Sequence, residues 1–464
     1  YDGSSRFRRG NRWQLSPSFS LGWNIAQENF WEDFADVCNQ LKFRFSYGEL
    51  GNMNTNGWYP TYRAMTLKQA NGSWLQNGLK PNTAYVGDLI STALTWEKVR
   101  TWNIGLDWGL FNNRLTGSFD AYIRYTDNMV GPSVELPATL GIATPKTNNC
   151  DLKTKGWELT IGWQDRTNFG MGYGIKFNVS DARTYIDRYP GNPTNSINTN
   201  TYIAGREIGE IWGFETVGIA KTDDEMQAHL NKVGGQSAIG SGVWTAGDIM
   251  YADQDGKPGI TKGAQTLEDH GDLKVIGNNT PRYHFGLDLN ANYKGFDVRL
   301  FFQGVMKRDY WQGSNIFWGV GQWGMWWSTG LKEHEDYFRD EPVGLAGHEI
   351  AANVNSYYAR PRFDSTQNQE TQTRYLQDAS YIRLKNFQLG YTLPASMIRK
   401  IGITNCRIFV SGENLWTGTK LSKLFDPETI SGGNTDSNAS APIKSAGNAY
   451  PLSRTWSFGL SVSL

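Results

Sequence analysis

The stretch YHFGLDLNANYKGFDVRLFFQG, residues 283–304, sets the reading of the whole chain. Tyr283, Phe285, Leu287, Leu289, Ala291 and Tyr293 share one parity; His284, Gly286, Asp288, Asn290 and Asn292 share the other. After a turn at Lys294 and Gly295 the pattern returns, with Phe296, Val298, Leu300 and Phe302 against Asp297, Arg299 and Gln303. Successive side chains of an extended chain point to opposite faces, so this alternation predicts a β-hairpin with one apolar and one polar face. The apolar face must meet either a protein core or lipid.

The alternation recurs along the chain. It is seen at 13–23, 41–47, 102–108, 115–125, 157–163 and 173–179, and again at 387–393, 407–413 and 455–464, for 11 predicted strands with the hairpin. The connections between them alternate in length. Residues 50–94, 128–151, 187–282, 308–379 and 417–454 are long loops, whereas 24–40, 109–113, 166–169, 294–295 and 394–403 are short or moderate. In an up-and-down meander alternate connections share an end, so every long loop falls on one side, as in outer-membrane barrels with long extracellular loops. Trp13 and Trp23, like Tyr283 and Tyr293, bound an apolar row. At ~3.3 Å per residue and a strand tilt near 40° such a row spans roughly 25 Å, the height of an apolar band between aromatic girdles.

A soluble sandwich alternates too, but its strands run nearer 5 or 6 residues, with turns every 8 to 12. Lipid is therefore the predicted neighbour of Phe285, Leu287, Val298 and Leu300. Asp288, Asn290, Asp297 and Arg299 then face the lumen, and Tyr293 to Phe296 form the periplasmic turn. The expected fold is all-β, a transmembrane antiparallel β-barrel of which this chain holds about 11 strands.

Composition agrees with that class. The chain has 464 residues, 45 basic against 45 acidic, so no charge excess points to nucleic acid. Aromatic residues reach 14%, with 19 Trp, while mean hydropathy is negative. No apolar run approaches the ~18 residues of a membrane-spanning helix, a test that a barrel escapes because its apolar residues are interleaved. Cys38, Cys150 and Cys406 are too few and too scattered for a disulfide framework or a zinc site. The first residues, YDGSSRFRRG, lack the apolar segment of a signal peptide, and an open sheet would leave unpaired edges in hydrocarbon. More chain upstream is therefore expected.

The residues also carry a family resemblance. YDGSSRFRRGNRWQLSPSFSLGWNI (1–25), GDIMYADQDGKPGI (247–260), TPRYHFGLDLNANYKGFDVRLFFQG (280–304), SYIRLKNFQLGYTLP (380–394), RIFVSGENLW (407–416), FDPE (425–428) and the terminal TWSFGLSVSL occur in order. Together they resemble the carboxy-terminal half of a SusC/RagA-type TonB-linked outer-membrane receptor of the Bacteroidetes. The resemblance implies location in the cell outer membrane, among its lipid, within a barrel of 22 strands. It also implies an amino-terminal plug outside this chain, a SusD-like surface lipoprotein as lid, and energy from TonB–ExbB–ExbD. The family usually ends on Phe; here the last residue is Leu464.

Two constellations are candidate sites. ADQDGKPGI, within the loop at 248–260, follows the calcium-loop pattern D-x-[DN]-x-[DN]-G at Asp253 and Asp255. Lys257 then takes the third ligand position and Pro258 replaces the turn glycine. The readings are a calcium ion on Asp253 and Asp255, or an acidic turn neutralised by Lys257. Trp311, Trp318, Trp323, Trp326 and Trp327 crowd the loop 308–379; their rings suit contact with a sugar or peptide, or packing against neighbouring loops or the lid.

Other motifs fail. GVGQWG (319–324) has no flanking strand and helix to make a dinucleotide site, and HEIAAN (348–353) has Ala352 where a zinc motif needs a second His. No catalytic constellation stands out, so the chain is read as a non-enzyme. The expected function is TonB-dependent import of oligosaccharides or oligopeptides. A passive porin and a secreted β-rich glycan-binding protein are the alternatives.

Overall fold

A computed structural model describes the chain except residues 54, 56–57, 73, 88, 133–136, 138, 140, 143, 199–200, 241, 314, 320–329, 363–364, 431–450 and 464. Among the described residues an 11-stranded sheet follows the order of the sequence at every step. Its strands are β1 (Ser18–Asn24), β2 (Cys38–Asn52), β3 (Glu97–Leu110) and β4 (Leu115–Pro132). Then come β5 (Lys146–Arg166), β6 (Gly172–Arg188), β7 (Arg282–Tyr293) and β8 (Phe296–Lys307). The last three are β9 (Tyr381–Thr392), β10 (Asn405–Thr419) and β11 (Thr455–Ser463). The sequential order makes this the predicted meander, with β1 and β11 as its edges.

The structure alters three details of the sequence reading. Trp13 is not on the wall: it sits in a short strand, Trp13–Gln14, paired with Asp2–Gly3, and stacks on Tyr1. Pro17 has no N–H for the ladder and restricts Ser16 before it, so the wall begins only at Ser18 and the Trp13–Trp23 span does not measure it. In β9 a bulge between Leu384 and Asn386 shifts the pairing with both neighbours. One extra residue reverses the parity, which is why the alternation is legible only from Phe387 onward. Finally, β5 has 21 residues, about twice the ~9–11 that span a bilayer. Strand therefore occupies part of the loop read as 128–151.

The cross-strand registers sort the two faces. Phe19 lies opposite Tyr47, Tyr47 opposite Trp102, and Trp102 opposite Ile123. Val298, Leu389, Val410 and Phe458 form a similar row across β8 to β11. Many of these side chains are left open: Phe19, Leu21 and Trp23 on β1, Trp102 and Ile104 on β3, Ile408 on β10. Contiguous exposed apolar rows of this kind are rare on soluble monomers and are what a lipid-facing wall presents.

The chain divides into two compact units, Tyr1–Leu159 with Ala182–Ile208, and Thr160–Asp181 with Gly209–Leu464. Each carries the same device on its polar face. In the first unit Arg44 binds Asp107 (2.8 and 2.9 Å) and Asp120 (2.8 and 3.0 Å). It reaches Asp120 by lying across Gly105 of the strand between, where a Cβ would come within 2.7 Å of the guanidinium. In the second unit Arg407 reaches over Gly390 to Asp297, 2.9 Å from Nε; a Cβ at Gly390 would overlap the guanidinium. Glycine on the middle strand is what lets a bidentate Arg–carboxylate pair bridge three strands.

Candidate ligand-binding site

Within the second unit the segments 209–282 and 308–379 fold onto one another. Helix α1 (Asp223–Val233) starts where the Thr222 hydroxyl accepts from the Glu225 N–H at 3.2 Å, and stops at Gly234 with φ 78°. Acidic residues fill its first turn, Lys232 its last, so its charges complement the helix dipole. Its Met226 is fully buried with Ala220 and Met250. Strand Glu210–Phe214 pairs with Leu273–Asn278, and Thr216–Ile219 with Ile249–Tyr251. The Phe214 N–H donates to the Thr371 carbonyl at 2.8 Å and that of Thr373 to the Phe214 carbonyl at 3.0 Å. The two long connections are thereby joined by backbone bonds.

Several buried polar groups at this junction are matched, although Gln367 Nε2 and Trp244 Nε1 have no hydrogen-bond partner among the described residues. The Gln236 amide donates to the Ile249 carbonyl (3.1 Å) and accepts from the Tyr251 N–H (2.7 Å), while the Tyr251 hydroxyl donates to the Gln367 carbonyl (2.7 Å). Burial pushes the Tyr251 phenol well above its ordinary range. Asp248 is fully buried and takes bonds from Arg362 Nε (2.7 Å), Asn368 Nδ2 (2.9 Å) and the Thr245 N–H (2.9 Å).

A cavity of about 840 Å³ opens among residues 318–369 of this assembly. Trp318, Leu331, Phe338, Val343 and Tyr358 supply its apolar walls. Behind them lies a cluster of rings: Phe317 against Trp318 at 5.0 Å, Trp318 against Tyr375 at 5.0 Å, Tyr358 stacked on Tyr375 at 6.0 Å. Burial pushes the Tyr375 phenol up to about 12, so it stays neutral at any physiological pH. Of the tryptophans singled out from the sequence, Trp311 packs on Trp318 at 6.2 Å, and Trp318 lies between ring cluster and cavity. Trp323, Trp326 and Trp327 lie outside the described residues.

The acidic turn is more crowded than its sequence suggests. Asp253 and Asp255 are joined by Asp272, with one carboxylate oxygen of each within 4.8 Å of the others. Asp272, distant in sequence, escaped the motif. Backbone donors already hold all three: Gly256 N–H to Asp253 (2.7 Å), Lys257 N–H to Asp255 (2.9 Å), Gln254 and Thr261 N–H to Asp272 (2.7 Å each). The Lys257 N–H, with its ammonium 3.3 Å from the carboxylate, holds Asp255 below the usual carboxylate range.

The FDPE segment is tied to the wall. Arg383 of β9, only 3% exposed, meets Asp426 at 2.8 Å and Glu428 at 3.0 Å, and Lys385 meets Glu428 at 2.9 Å. Against the upward push of burial, the Glu428 N–H and the Arg383 guanidinium hold Asp426 below the usual range.

Comparison with known proteins places this arrangement. The family described as "TonB dependent receptor-like, beta-barrel" matches residues 1–415. A TonB-dependent receptor of Formosa agariphila is 28% identical over 99% of this chain and 43% of its own length. The TonB-dependent receptor SusC of Bacteroides thetaiotaomicron is 25% identical over 100% of this chain and 41% of its own. The structure of the RagAB peptide transporter shares the fold, with a TM-score of 0.69 at 22% identity, over 99% of this chain and 44% of that one. The chain thus spans under half the length of these relatives.

Proposed function

Because this chain belongs to the family of TonB-dependent receptor β-barrels, outer-membrane receptors and transporters rather than enzymes, we propose that it supplies wall and ligand-facing loops of an active importer. The cargo in this reading is an oligopeptide or oligosaccharide, drawn in with energy from TonB–ExbB–ExbD. The carrying observation is the cavity of about 840 Å³ built into the long connections, within the ~300–1,000 Å³ of small-ligand sites. Strands β1 and β11 of an 11-stranded meander run the same way. They cannot pair antiparallel with each other, so closing the barrel takes an odd number of further strands. The plug and the TonB-contacting segment would come with them. A SusD-like lipoprotein as lid is part of the proposal. The hairpin in which cavity-lining Val343 pairs with Ile350 supports it, leaving Leu345, two residues further on, 80% exposed. Uptake of a labelled ligand by intact cells should vanish when TonB is deleted. Undiminished uptake would favour the passive porin.

For the acidic turn, the existing backbone bonds and Lys257 support a turn that needs no cation. Millimolar calcium, the range of weak extracellular sites, should leave the thermal melting of the full-length receptor unchanged. A rise of several degrees that disappears in Asp272→Asn would instead assign a divalent ion to Asp253, Asp255 and Asp272.

A further inference from the structure

The chain as a whole balances its charges, but one part of the rim in the first unit does not. Residues 1–17 and the connection 53–96, to which they are bonded, carry seven basic residues against two acidic ones, Asp2 and Asp88, an excess of five. Arg6 donates to the Met53 carbonyl and the Thr55 hydroxyl (3.3 Å each), Arg8 to the Thr61 carbonyl (3.2 Å), Arg12 to the Phe7 carbonyl (3.1 Å) and Arg63 to the Gly87 carbonyl (2.8 Å). Those oxygens are all neutral. Among the described residues neither these four arginines nor Arg9 pairs with a carboxylate, and Arg8, Arg9 and Arg63 are exposed. The neighbouring acids are engaged elsewhere. Asp2 accepts from the Ser16 hydroxyl (3.3 Å), Glu49 from the Tyr47 hydroxyl, and Glu97 from Asn52 Nδ2 (2.8 Å) and the Val130 N–H (2.9 Å).

The register puts this excess on the bilayer side of the wall. Gly51 of β2 shares the parity of Phe43, Phe45 and Tyr47, which belong to the outward rows. A Cβ at Gly51 would come within 2.8 Å of both Gln14 and Trp96, so those side chains stand on the outward side. The Trp96 indole donates to the Arg12 carbonyl at 3.1 Å and its ring lies 5.5 Å from that of Phe7, which carries the segment 6–12 onto the same side. This end of β2 leads into a long connection, the extracellular kind. Gly51 lies four residues past Tyr47. At ~3.3 Å per residue and a tilt near 40° that is roughly 10 Å up the membrane normal, past the hydrocarbon and among the headgroups. Exposed rings accompany the cations: Trp13 stacks on Tyr1, and the Arg6 guanidinium lies 4.7 Å from the centre of Trp58. Amphipathic rings beside basic side chains suit a membrane interface, and a guanidinium binds phosphate through paired N–H donors.

We infer that this rim binds the phosphate groups of an anionic lipid in the outer leaflet. A cluster of basic side chains at a membrane surface attracts anionic headgroups, and here the cations are open, spread along the rim and continuous with the apolar rows. The inference uses only the orientation of the wall and is independent of the cargo. The test takes the full-length receptor in a non-ionic detergent, with native mass spectrometry reading bound lipid. The probes are a diphosphorylated, acylated glucosamine disaccharide and the same lipid stripped of its phosphates. The phosphorylated lipid should bind about tenfold tighter or more, and should weaken several-fold between about 50 mM and about 500 mM salt as screening grows. Arg8→Gln with Arg9→Gln, at two exposed side chains, should cut that affinity about fivefold while the melting temperature holds. Arg8→Lys with Arg9→Lys should keep most of it, and Arg63→Gln is the second variant should the first misfold. Equal binding of the two lipids would overturn the inference, as would a loss in the double Gln variant no greater than in Arg299→Gln on the polar face. Displacement of the lipid by inorganic phosphate, beyond that caused by chloride at equal ionic strength, would assign the rim to a free anion and overturn it too.

Discussion

Replacing Arg362 with Met is expected to destabilise the folded loop region of the second unit by about 3–5 kcal/mol, the cost of removing one partner of a buried ion pair. Asp248 has no exposed surface, and its other partners, Asn368 and the Thr245 N–H, are neutral donors. The carboxylate would be left charged, buried and without a counterion. The double variant Arg362→Met with Asp248→Asn should recover most of the loss, because the amide restores neutrality and retains hydrogen-bonding capacity. Amide exchange at Ile249 to Tyr251, which lie next to Asp248 in the chain and pair with Thr216–Ile219, reports the effect locally. Equal protection in single variant and wild type would show that packing, and not the ion pair, holds this region.

That pair also marks the limit of what the sequence discloses. Arg362 and Asp248 are 114 positions apart, and nothing local joins them. The same holds for Arg383 with Asp426 and for Asp272 with the acidic turn. The wall was legible because a strand's facing repeats every two residues, so lipid on one side and water on the other write themselves directly into the order of residues. The reading faltered where that period is interrupted, at Pro17 before β1 and at the bulge after Leu384. Loops have no such period. The tryptophans at 311 and 318 were visible as a composition, but their partition between ring packing and cavity depends on Tyr358 and Tyr375, which come from elsewhere in the loop.

The opening hairpin gives the sharpest contrast between the two faces. Leu287 stands mid-strand, opposite Phe177 on one neighbour and Phe302 on the other. Asn290, one strand-face over, stands opposite Gly174 and Arg299. Leu287→Arg should cost about 2–4 kcal/mol if that row meets lipid near the midplane. The same arginine at Asn290 meets a polar, open face. Its main penalty is proximity to Arg299, and a like-charge cross-strand pair is worth only about 0.2–1 kcal/mol. Arg299 is itself paired with Asp288, which lowers that penalty further. Urea-dependent folding of the full-length receptor into vesicles separates the cases: Leu287→Arg should fail to insert under conditions where Asn290→Arg inserts. The reverse order, or equal losses, would mean that the apolar row packs against protein and not against the bilayer.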